Sequence, residues 1–158
     1  MKTLQTILTI LTILSCFPAF ALAGPDWEVN LAITSGSVES KVSLGAGSDA
    51  TDAQDGRYDV PAMLSGDLQA RFVDGGGSLW RDIRGTDQEV EEWKLIVDAH
   101  TKKDLSISWN VADLPPEYWF ELIDRKRKKT IAMEEVASYT LPAGDHWEFL
   151  IRAVKDLK

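Results

Sequence analysis

The chain is poor in the groups that most enzyme chemistry uses. Its 158 residues include one cysteine and two histidines. A lone thiol excludes an internal disulfide framework and zinc sites of the paired-cysteine type. His100 and His146 stand apart, and neither an HExxH pattern nor a GxSxG elbow occurs. The expectation is therefore a protein that is not an enzyme. A small hydrolase stays open as the third alternative, because triads need not be local in sequence. Cations are scarce too: 17 Lys and Arg face 25 Asp and Glu, a formal net charge of −8. Without a basic face to displace counterions from phosphate, sequence-general nucleic-acid binding is excluded. Gly45-Ala46-Gly47 and Gly75-Gly76-Gly77 lack the strand-to-helix setting of a phosphate loop and read as turns.

Residues 1–23 read as an address. Lys2 precedes an apolar stretch, Leu4 to Leu14, and Pro18 breaks it. Ala21-Leu22-Ala23 then puts small residues at the −3 and −1 positions before Gly24, the pattern of a cleaved secretory signal. The run falls short of the roughly 20 apolar residues of a spanning helix. Ile13-Leu14-Ser15-Cys16 offers an alternative, lipidation at Cys16. Cleavage after Ala23 leaves a thiol-free domain, residues 24–158, suited to an oxidising compartment: periplasm, cell surface or medium. No transmembrane segment is expected after cleavage.

From Trp27 onward the dominant period is two. Trp27, Val29, Leu31 and Ile33 alternate with Glu28, Asn30, Ala32 and Thr34, and Val38, Val42 and Leu44 follow a Ser35-Gly36-Ser37 turn. Further runs are Leu68–Phe72, Trp93–Val97, Leu105–Trp109, Tyr118–Leu122, a weaker one at Ile131–Met133, and Trp147–Ala153. Eight or nine short strands separated by Gly, Pro and Asp predict an all-β, antiparallel β-sandwich. Trp27, Trp93, Trp109 and Trp147 fall on apolar faces and are expected in the core. Trp80 and Trp119 do not; with Tyr118 they offer a stacking platform for a sugar or a partner.

Two loops carry charge. Gly47 to Pro61 gathers Asp49, Asp52, Asp55 and Asp59 with only Arg57 to offset them. Calcium takes six to eight oxygens, so these four are candidate ligands, although the spacing is not that of an EF-hand. The alternative is an Asp-rich turn whose carboxylates bond local backbone N–H groups. Arg125, Lys126, Arg127, Lys128 and Lys129 form the only basic cluster, expected at a hairpin tip. Such a tip blunts strand edges, or binds an anionic partner such as lipopolysaccharide, an acidic glycan or the acidic loop of a neighbouring copy.

The stretch Asp49-Ala50-Thr51-Asp52, with Asp55, Asp59, Val60 and Pro61, resembles a motif of uncharacterised bacterial extracellular modules of fibronectin-III or immunoglobulin-like build. Asp82-Ile83-Arg84, Trp93 and the run Leu105-Ser106-Ile107-Ser108-Trp109 extend the resemblance, which covers most of residues 24–158. Ala53-Gln54 stands where those modules carry a Gly-aromatic pair. The resemblance implies a non-catalytic module of secreted or surface proteins and supplies no catalytic residue. The expected function is an envelope or extracellular scaffold that interacts with an unidentified protein or glycan and has scope for self-association. The alternative is a carbohydrate-binding module that uses the exposed aromatics.

Overall fold

A computed structural model describes residues 24–156 except Gly76. The secretory signal expected at 1–23, with Cys16, lies outside the described residues. These fold into eleven strands and one 3-10 turn. The strands are β1 (Trp27–Ser35), β2 (Val38–Ala46), β3 (Val60–Pro61), β4 (Leu68–Asp74), β5 (Gly77–Arg84) and β6 (Val90–Ala99). There follow β7 (Leu105–Trp109), the turn Val111–Asp113, β8 (Tyr118–Asp124), β9 (Lys129–Ala132), β10 (Ser138–Leu141) and β11 (His146–Lys155). No helix among the described residues is long and apolar enough to cross a membrane.

All strands join one sheet in the order β10-β7-β1-β2-β5-β4-β6-β11-β8-β9, with β3 added against β5. The all-β expectation holds. The antiparallel expectation needs one correction, because β2 and β5 run parallel, Ser43 opposite Arg81 through Ala46 opposite Arg84. Parallel neighbours need a long crossover, and residues 47–76, which include the acidic loop and β4, provide it. The sheet is therefore mixed. It curls until its ends nearly meet: Tyr139 of β10 stands edge-on to Phe149 of β11, and Trp109 Nε1 on β7 donates to the Met133 carbonyl just past β9 at 2.8 Å. The result is barrel-like and nearly closed.

Alternation explains which faces turn inward. β6 alternates buried with exposed or half-buried positions, with Glu91, Trp93, Leu95, Val97 and Ala99 inside, and β11 alternates likewise through Trp147, Phe149, Ile151 and Ala153. Gly36, at φ 63°, turns β1 into β2 with Ser35 opposite Val38, at the predicted turn. Trp27 is half-buried and meets Trp93, Tyr118 and Phe120 at ring-centroid distances of 6.0, 5.4 and 5.5 Å, so β1 packs across the core onto β6 and β8. Trp93, Trp109 and Trp147 are buried as expected. Outside, charges pair across strands: Arg152 with Glu92 and Glu121, and Lys94 with Glu148.

Candidate functional site

The acidic loop folds back on itself through its carboxylates. Asp49 pairs with Arg57 Nη1 at 2.5 Å and accepts from the Tyr58 hydroxyl. That hydroxyl, helped by the Arg57 charge, holds the Asp49 carboxyl below its usual range. Asp55 Oδ1 accepts from the backbone N–H of Arg57 and Tyr58 at 3.0 and 3.1 Å, an Asx turn. Asp59 is buried; its two oxygens accept from Ile83 N–H at 3.0 Å and Asp55 N–H at 2.7 Å, which ties the loop to β5. Asp52 Oδ1 accepts from Gly85 N–H at 3.2 Å. The structure thus brings Asp49 and Asp55–Asp59 together through donors, while Asp52 reaches to the far end of β5. No group of three or more metal-ligating side chains gathers among the described residues.

Beneath this loop lies a charge cluster that sequence reasoning missed. Arg84 pairs with Asp82 at 3.2 Å and with Glu91 at 3.7 Å, and its guanidinium lies 5.2 Å from the Trp93 ring. Glu91 is only 6% exposed, and its Oε1 has no hydrogen-bond partner among the described residues. Burial, then the nearby Asp52 charge, pushes the Glu91 carboxyl up to about 7 despite Arg84. Burial raises Asp82 as well. The missed signal was Glu91 on the apolar parity of β6, two residues before Trp93.

The three proposed platform aromatics do not form one surface. Tyr118 is 7% exposed and packs with Trp27 and Phe120, a correction to its proposed role; alternation with Phe120 and Leu122 already puts it inside. Trp119, on the opposite face of β8, is 59% exposed beside a shallow groove with Glu121, Glu134 and Arg152. Trp80 is half-buried on β5 and packs against the core edge near Met63 and Leu64. Four strand spacings along the sheet, about 19 Å, separate the strands of Trp80 and Trp119.

The basic cluster does sit at a hairpin tip, between β8 and β9. Buried Asp124 accepts from Arg127 N–H at 3.0 Å, from Arg127 Nη1 at 3.1 Å and from the Tyr139 hydroxyl at 3.2 Å. Lys128 adopts φ 52°, and Lys129 Nζ lies 4.9 Å from the Tyr139 ring. Arg125 and Lys126 point outward and form no ion pair among the described residues. Nearby, His146 Nδ1 meets Asp98 at 2.6 Å and Nε2 meets Glu148 at 3.4 Å. The Asp98 bond raises the imidazole's pKa, and both ring nitrogens are engaged by carboxylates rather than by a serine hydroxyl. Comparison of the chain with protein-family models, with curated proteins and with solved structures returns no match.

Proposed function

We propose that this chain is an exported, non-catalytic contact module of the envelope or extracellular space, and that it engages an anionic partner through the β8–β9 tip. One observation carries the reading: Arg125 and Lys126 are exposed, without an ion pair among the described residues, on a turn that buried Asp124 pins from below. In a chain of net charge −8, that tip is a localised positive field. The edge-to-face contacts of Trp27 with Trp93 and Phe120, which join β1 across the core to β6 and β8, support reading the curled sheet as a sandwich of immunoglobulin or fibronectin-III type. Retention on a heparin matrix tests the tip. The expected result is elution at low salt for Arg125→Glu/Lys126→Glu and at higher salt for the parent. Equal elution of the two ends the reading. Amino-terminal sequencing of the released protein tests export, with Gly24 expected first.

Exposed Trp119 favours a second reading, carbohydrate binding, since an indole beside polar side chains suits a sugar face. Glycan-array binding that disappears in Trp119→Ala would select it over the tip. Calcium at the acidic loop belongs to the proposal in a restricted form. An ion there would have to displace Arg57 and Tyr58 from Asp49. A rise in Tm in millimolar calcium, reversed by chelator, is the result expected of a bound ion; coincident melting curves mean the loop is held by its own donors alone.

A further inference from the structure

Beside the tip, the outer face of the sheet carries a groove of about 350 Å³, large enough for part of a small organic ligand. Its floor is apolar. Half-buried Leu150 lines it from β11, opposite Lys94 on β6, and outside the lining Ile123 of β8, also half-buried, continues the aliphatic strip in register. Its rim is cationic: Lys94, Arg125, Lys126 and His146 line the groove against one carboxylate, Glu148. Glu148 is already engaged, with Lys94 at 2.9 Å and His146 at 3.4 Å, and Asp98 takes the other side of His146 while also pairing with Arg71 at 2.6 Å. Those pairs leave the charge of Arg125 and Lys126 uncompensated at the groove mouth.

We propose that this groove binds a small organic anion with an apolar body, the body lying along Leu150, with Ile123 beside it in register, and the anionic head meeting Arg125 and Lys126. The proposal rests on the tip being the recognition surface and names the chemistry it recognises. Two features make the site more than a charged turn. The floor is built on the paired strands β6, β11 and β8, so it is rigid before a ligand arrives and ordering it costs little. The cations stand at one end of an apolar strip, which suits an amphiphile better than a polyanion. A guanidinium can also take a carboxylate, sulfate or sulfonate head in a bidentate manner.

The test is a fluorescence titration of the full domain with 8-anilinonaphthalene-1-sulfonate, with decanoate as competitor and the uncharged N-phenyl-1-naphthylamine as control. The expected result is saturable one-to-one sulfonate binding, displaced by decanoate and weaker for the uncharged dye. Arg125→Glu/Lys126→Glu should weaken it about tenfold or more, and Leu150→Asn comparably. Unchanged melting of both variants shows that the loss is local. No saturable binding, or binding that neither variant changes, overturns the proposal. A fourth arm uses phosphatidylglycerol vesicles. Vesicle binding without monomer binding also overturns it, in favour of a membrane contact at the tip. Heparin retention separates the two levels of argument: retained parent protein with no dye binding sinks the groove alone, whereas loss of tip-dependent retention sinks the reading beneath it.

Discussion

Asp124 shows how one side chain sets the presentation of a surface. It is almost fully buried at the end of β8, and its oxygens are shared between the turn backbone, Arg127 and the Tyr139 hydroxyl. Removing it leaves the buried Tyr139 hydroxyl without its acceptor, a cost of about 1–3 kcal/mol, and frees the Arg127 N–H of the turn. Asp124→Ala is expected to lower stability by that amount in chemical denaturation. It should also weaken heparin retention although no surface cation has changed. Asp124→Asn keeps an acceptor and should do less of both. The sequence showed Asp124 only as the residue before a basic run. Its partner Tyr139 lies on β10, a strand of four residues too short for its period to register. The aromatic core was easier to read, because Trp93, Trp109 and Trp147 each sit on the apolar parity of a longer strand.

At the scale of elements, β5 is where reading by period failed and where the fold places its least comfortable charges. Arg81-Asp82 interrupts the alternation, yet Arg81 forks onto Glu28 of β1 at 2.9 and 2.7 Å and Asp82 is buried against Arg84. The Arg81–Glu28 fork depends on β5 lying beside β2, which nothing local announces. Gly45 marks that junction, opposite Glu28 on one side and Ile83 on the other. A Cβ there would run into the Trp27 carbonyl and come within 2.8 Å of Ile83 Cδ1. Gly45→Ala is therefore expected to destabilise by about 1–3 kcal/mol, read as a lower denaturation midpoint.

The Arg84–Asp82–Glu91 cluster gives the same region a pH dependence. Glu91 ionises near 7 when folded and from an ordinary 4.5 when unfolded. Between those values the native state holds the extra proton, so stability falls as pH rises from about 5 to 7 and levels off above. Burial raises Asp82, which adds to the trend in the same direction. His146 also has a raised pKa, through Asp98, so the stability it contributes is lost as pH climbs past its folded value. Glu91→Gln should flatten the fall in Tm between pH 5 and 7, and His146→Gln should leave most of it. Equal slopes in Glu91→Gln and the parent would assign the dependence elsewhere.

For the molecule as a whole, the period-two rhythm made the all-β class legible, and the turn at Gly36 and the tip at 125–129 were legible from local chemistry. Topology was not, because the parallel pair and the curl of the sheet are set by strands far apart in sequence. Strand order also puts β11 between β6 and β8, although it is the last of the described strands in sequence. Synthesis runs in the other sense, so those two strands lack their shared neighbour until residues 146–155 have been made. Until then the growing polypeptide has two strand edges with unpaired N–H and C=O groups and no way to seal them, a state prone to clumping and suited to holding factors. The same delay holds the domain open: β6 and β8 stay unjoined until the strand that bridges them is made.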